Sequence, residues 1–140
     1  MAGVCMLHAQ TPVEKLILKY EHADGAREYF AQGGKLAFAR PLLRKTPVAP
    51  IASDVTKLAV LKMQGASRQY QMMFEKDLKE ALESYQYRGK QDGKNGIVDI
   101  YVLYSGNDMI RELVIYNPAI LSLNSLYGNF TVESLLKLEH

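Results

Sequence analysis

Val13, Leu16, Ile17 and Tyr20 recur at i, i+3, i+4 and i+7, the spacing of one helical face. Thr11 stands where a cap belongs, Pro12 suits the first helical position, and Glu14 is placed to close a capping box. Asp24-Gly25 ends this segment, and Ala26 to Gln32 reads as a short strand before the Gly33-Gly34 breaker. From Lys35 to Lys45, Leu36, Ala37, Ala39, Leu42 and Leu43 suit a helix that Pro41 should kink or interrupt. Thr46 to Pro50 is a rigid connector, and Lys57 to Met63 a buried strand. Ser67 caps the longest helix, running to about Ser84. Tyr70, Phe74, Leu78, Ala81, Leu82 and Tyr85 share one of its faces, with Met72 and Met73 flanking the stripe as adaptable filler.

Beyond Tyr85 the period changes to two. Tyr85 to Gly89 begins a strand, Gln91 to Gly96 is a polar loop, and Ile97 to Tyr104 alternates. Val98, Ile100, Val102 and Tyr104 fall on one side of that strand, Asp99 and Tyr101 on the other. A turn at 105–108 returns the chain through Met109 to Tyr116 as a hairpin. Asn117-Pro118 turns again, Ile120 to Leu123 adds a strand, and Tyr127-Gly128-Asn129 breaks the pattern. Thr131 then caps a last helix with Val132, Leu135 and Leu136 facing inward. This order predicts one α+β domain over residues 11–137: two layers, a mostly antiparallel sheet, and helices packed on one face.

The ends read differently. Residues 1–10 look like the remnant of a secretory signal peptide, with cleavage expected between Ala9 and Gln10. Cys5 sits in a degraded lipobox, Ala2-Gly3-Val4-Cys5, where Val4 replaces the usual small residue; lipidation is the lesser alternative. Leu138-Glu139-His140 resembles the start of a histidine tag. The expected location is therefore outside the cytoplasm, periplasmic or associated with the outer membrane.

The 140 residues hold one cysteine and three histidines. With His8 in the leader and His140 in the tag, His22 alone remains, too little for a Cys/His nucleophile pair or a multi-histidine zinc site. No stretch approaches the roughly 18 apolar residues that span a bilayer. The net charge is only +2, but it is unevenly spread. Residues 26–50 carry Arg27, Lys35, Arg40, Arg44 and Lys45 against Glu28 alone. Residues 97–140 carry two cations against five acids. Lys35, Arg40, Arg44 and Lys45 form a candidate basic patch for a charged partner or surface. Nucleic acid is not expected, because two of the nearby Tyr29, Phe30 and Phe38 look buried and an exported protein rarely meets nucleic acid.

Candidate chemistry is sparse. Asp24, Asp54, Asp99 and Glu112 lie near strand or loop ends, and only Asp99 and Glu112, on the two arms of the hairpin, could share a face as a carboxylate pair. His22, beside Glu21 and Asp24, follows a helix end, where a histidine is favourable on electrostatic grounds alone. The glycine pairs lack phosphate-loop spacing, and Ser105-Gly106 is no nucleophile elbow. No catalytic residue, metal site or cofactor is therefore expected. Tyr101, Tyr104 and Tyr116, with Asp99 and Glu112, are candidates to line a ligand or partner groove.

The stretch Lys19 to Ala26, the segments at 35–36 and 57–62, and Gly96-Ile97 followed by Tyr104-Ser105-Gly106 and Ile110 to Ile115 resemble a family of small exported Bacteroidetes proteins that share a domain of unknown function. The resemblance covers most of residues 11–137. It departs at Asn117-Pro118, where a glycine turn is usual, and in the longer basic segment with Pro41. It implies export to the cell envelope and supplies no catalytic residues. The expected function is a non-enzymatic envelope domain binding a protein or surface partner. The alternatives are a small-ligand-binding domain or weak hydrolase on the tyrosine-lined sheet face, and a module that dimerises through an exposed strand edge.

Overall fold

The first helix, α1 (Pro12–Tyr20), starts where a capping side chain meets a proline. Thr11 Oγ1 accepts the Glu14 amide at 3.2 Å. The capping box stays open, because the Glu14 carboxylate is drawn instead to Lys57. The computed structural model describes residues 10–45, 48–93, 95–106 and 108–138. The expected leader at 1–9, with Cys5 and His8, the Thr46-Pro47 part of the connector, and Glu139-His140 lie outside the described residues.

After α1 come β1 (Arg27–Gln32), α2 (Gly34–Leu43), a 3-10 turn (Ala49–Asp54), β2 (Val55–Lys62) and α3 (Arg68–Ala81), which tightens into a second 3-10 turn (Leu82–Ser84). The meander is β3 (Gln86–Gly93), β4 (Gly96–Tyr104), β5 (Met109–Asn117) and β6 (Ser122–Thr131), and α4 (Val132–Leu138) follows. Helix α2 passes through Pro41 and ends two residues later, so the proline lies at its C-terminal end rather than at a mid-helix break. Ser67 caps α3 by accepting the Tyr70 amide. Thr131 Oγ1 accepts the Ser134 amide at 3.0 Å at the start of α4.

All six strands form one sheet in the order β1-β2-β6-β5-β4-β3, every neighbouring pair antiparallel. Two expected breaks are strand. The polar run from Gln91 mostly belongs to β3, whose Gly93 pairs with Gly96 of β4. Strand β6 runs through Tyr127-Gly128-Asn129, and a register shift opposite Ile110 and Glu112 absorbs the irregularity as a bulge. Gly128 serves close packing: a Cβ there would lie 2.2 Å from the Asp54 carbonyl oxygen.

The α+β class and the antiparallel sheet are as the periodicity predicts, but the helices are divided between both faces. On one face α1 and α3 bury Val13, Leu16, Ile17, Phe74 and Leu78 against Ala59, Leu61, Val114 and Leu123. On the other, α2, the first 3-10 turn and α4 bury Leu36, Ala39, Ile51 and Leu135 against Leu58, Ile100, Val102, Leu113 and Leu126. The cause is in the strands. Residues 58–61 of β2 and 113–116 of β5 are apolar at every position, so each strand has two faces to cover. Tyr70 and Leu136, expected inward, are exposed. Among the described residues no helix is long and apolar enough to cross a membrane.

Candidate functional site

The alternation of β4 decides which candidates meet. Asp99 and Tyr101 project toward the α3 face, and Tyr116 of β5, opposite Asp99 in register, projects the same way. Tyr104 lies on the other face, packed against the cluster under α2. Glu112 shares the face of Asp99 but pairs with Leu103, four positions farther along β4, roughly 13 Å at the rise of a strand. The two carboxylates therefore cannot bracket one scissile bond.

Asp99, Tyr101 and Tyr116 join Glu75, Lys79 and Glu83 of the α3 segment around a groove of about 360 Å³, floored by Leu78 and Leu82. Asp99 Oδ1 accepts from Tyr87 Oη at 2.9 Å and from Lys90 Nζ at 2.8 Å. Tyr87 also packs on Tyr101, ring centroids 5.1 Å apart, extending the aromatic wall. The Tyr116 hydroxyl is buried without a hydrogen-bond partner. Burial raises its pKa, and the charges of Glu75 and Asp99 raise it further. A second hollow of about 270 Å³, between α1 and β1 and lined in part by Leu18, Glu28 and Phe30, includes none of the candidates.

Glu112 lines neither hollow. It is 0% exposed, held beneath the first turn of α1 by two hydroxyls. Tyr85 donates to Oε1 at 2.5 Å and Ser125 donates to Oε2 at 2.6 Å. Beside them Thr11 and Tyr127 share a hydrogen bond of 2.5 Å. Among the described residues no lysine or arginine pairs with Glu112. Burial raises its pKa, and the hydrogen bonds from Ser125 and Tyr85 oppose the shift only in part. A raised carboxyl pKa often marks a catalytic acid, but this group is sealed from solvent and ties elements together.

The basic candidates divide as well. Arg40 turns inward and donates to the Val55 carbonyl at 2.8 Å. Lys35, Arg44 and Lys45 are exposed, and Lys35 Nζ stands 4.8 Å above the Tyr29 ring. Tyr29, Phe30 and Phe38, two of them expected to be buried, are all exposed, and the sequence reading missed the apolar surface that lies between the cations. Leu36 and Ala39 bury one side of α2, and the opposite side is also apolar, with Phe38 84% and Leu42 66% exposed beside exposed Ala37 and Pro41. Helical spacing carried the signal: once Leu36, Ala39 and Leu43 are assigned inward, Phe38 and Leu42 must point out.

His22 stands in the turn after α1, its side chain 91% exposed and Nε2 3.3 Å from Glu21 Oε1. Glu21 lines the hollow between α1 and β1, but His22 itself does not. Among the described residues no group of three His, Cys, Asp or Glu side chains is placed to hold a metal ion. Compared with known proteins, the chain matches no protein-family model, no curated protein and no solved structure.

Proposed function

We propose that this chain is a non-enzymatic domain of the bacterial cell envelope that docks on an anionic lipid surface through the outer side of α2. The observation that carries the reading is the exposed pair Phe38 and Leu42, one turn apart on a helix that is apolar on both sides. A helix with two apolar sides ordinarily has both covered, and here only one meets the sheet. The flanking cations name the partner. Lys35, Arg44 and Lys45 surround the pair, and exposed Arg27 and Tyr29 lie on the same side of neighbouring β1. Apolar tips set in a basic rim suit the boundary of an anionic bilayer, where each cation contributes about 1 kcal/mol and each apolar side chain about 2 kcal/mol. The leader-like residues 1–10 and the resemblance to exported Bacteroidetes proteins support the envelope location. The separation of Asp99 from Glu112 supports a binding role over a hydrolytic one.

Flotation of the purified protein with vesicles of phosphatidylcholine, alone or mixed with phosphatidylglycerol, tests this. Binding is expected only to the anionic vesicles, with release as salt approaches about 0.5 M. The F38S/L42S double variant and the K35Q/R44Q/K45Q triple variant should both stay in the unbound fraction while keeping the native circular dichroism spectrum. Absence of binding at low salt, or equal binding by both variants, would overturn the proposal.

A further inference from the structure

We infer that the groove between α3 and β4 is a binding site for an aliphatic ammonium compound, a second site on the face opposite α2. Three carboxylates, Glu75, Glu83 and Asp99, meet there, with Lys79 as the one cation of the lining and Lys90 paired to Asp99 at 2.8 Å. Tyr101 and Tyr116 supply aromatic surface, and Leu78 and Leu82 an apolar floor. Carboxylates beside aromatic rings recognise an organic cation by charge and by the ring quadrupole together, while the floor accommodates its methylenes.

Acidic residues alone would describe any solvated surface. The independent observation is Tyr116, whose side chain is only 6% exposed and whose hydroxyl has no partner. A buried hydroxyl without a hydrogen bond costs about 1–3 kcal/mol, so an orphaned one in a groove wall points to a partner that arrives from outside. Tyr116 is itself part of the groove lining, beside Glu75, Asp99 and Tyr101. Asp99 is also half ready: both of its hydrogen bonds fall on Oδ1, and among the described residues Oδ2 has none. An ammonium group carries three donors, enough to serve Asp99 Oδ2, the Tyr116 oxygen and one glutamate of α3. Lys79, one helical turn from both Glu75 and Glu83, competes for the same carboxylates.

Isothermal titration with cadaverine, and with the neutral diol of the same chain length, tests the site on the intact protein. Saturable binding of the diamine is expected, with Kd between roughly 10 μM and 1 mM, and none of the diol. Asp99→Asn should weaken binding about tenfold, and Lys79→Gln should tighten it. Tyr116→Phe should weaken binding severalfold while leaving the thermal midpoint unchanged or higher, because it removes an unsatisfied buried hydroxyl. Should Asp99→Asn fail to fold, exposed Glu75→Gln takes its place. No saturable heat up to about 10 mM, equal affinity for the diol, or undiminished affinity in folded Asp99→Asn (or Glu75→Gln) and Tyr116→Phe would overturn the inference. Vesicle binding through α2 uses the other face, so either site can fail without the other.

Discussion

The Tyr85 hydroxyl donates to Glu112 Oε1 at 2.5 Å and accepts the Val13 amide at 3.2 Å. One phenol thereby joins the end of the α3 segment, the first turn of α1 and the middle of β5. The Val13 amide is among those that a helix start leaves without an internal acceptor, and Tyr85 satisfies it from outside the helix. Burial raises the Tyr85 pKa, and the Glu112 charge adds to the shift, so the phenol stays protonated and donating across the neutral range.

Glu112 sets a pH dependence with a definite sign. Its folded pKa lies above the ordinary value of 4.5, so below that value both folded and unfolded chains hold the proton and no penalty arises. As pH rises, the unfolded chain releases its proton first, and stability falls until the folded pKa is passed. Glu112→Gln keeps the hydrogen-bonding shape without the charge. Urea titrations at pH 4 to 8 should show the variant gaining on the parent as pH rises, by about 1–3 kcal/mol at the upper end. A gain that is the same at every pH would mean the carboxyl is not the titrating group.

Tyr85→Phe removes the donor to Glu112 and the acceptor of Val13 together. Two buried groups lose partners, which costs about 2–4 kcal/mol. Glu112→Ala should cost at least as much, since it strands the hydroxyls of Tyr85 and Ser125 and leaves a cavity. Because the same contact is lost, the double variant should fall short of the sum of the singles by about 1 kcal/mol or more, measurable as a double-mutant cycle. Strict additivity would place the two residues in separate networks.

Much of the fold was legible in the sequence. The spacing of Val13, Leu16, Ile17 and Tyr20, the cap at Ser67 and the alternation through β4 are local signals, and each sits in the structure as read. The misreadings arose where long-range packing overrode a local sign. Gly128 resembles a break until Asp54 is seen against it, and Glu14 resembles a capping-box partner until β2 brings Lys57 beside it. The second helical face was signalled by apolar runs at 58–61 and 113–116, which an emphasis on alternation passed over. Of the site candidates, Asp99, Tyr101 and Tyr116 meet because strand parity is short-range arithmetic. The contribution of α3 to their groove, and the burial of Glu112 under α1, depend on helix placement that spacing alone does not specify.

Gly25 and Gly33 both have positive φ, +87° and +61°, but their surroundings differ. A Cβ on Gly25 would lie 2.1 Å from the Gly65 carbonyl oxygen, whereas one on Gly33 meets nothing within 4 Å. Gly33→Ala should therefore cost only the backbone strain, about 1–3 kcal/mol. Gly25→Ala adds a backbone clash between two turns and should cost several kcal/mol. Thermal unfolding of the pair checks this, and similar midpoints would show that the turn at 64–67 yields freely.

On α2 the cations should separate by role. Arg40 spans to the Val55 carbonyl, so Arg40→Ala should lower stability by about 1 kcal/mol. Lys45→Ala, on the exposed rim, should change stability by less than about 0.5 kcal/mol and instead reduce attachment to anionic vesicles. A stability loss of equal size in both variants would contradict the division.

Asp77 supplies the acid-side counterpart to Glu112. From α3 its Oδ2 accepts Tyr20 Oη at 2.6 Å and Lys19 Nζ at 2.7 Å, clamping the C-terminal turn of α1. The hydrogen bonds from Lys19 and Tyr20 lower its pKa below the ordinary 3.8. Stability from this clamp is therefore complete above the unfolded pKa and is lost as pH falls through the folded one. Asp77→Asn should cost about 1 kcal/mol near neutral pH and almost nothing near pH 2. Since Glu112 penalises folding at the opposite end of the scale, Asp77→Asn should move the pH of maximum stability down and Glu112→Gln should move it up. Denaturation midpoints of the two variants across the acid range decide the matter: shifts in the same direction would mean that these two carboxyls do not govern the acid profile of the fold.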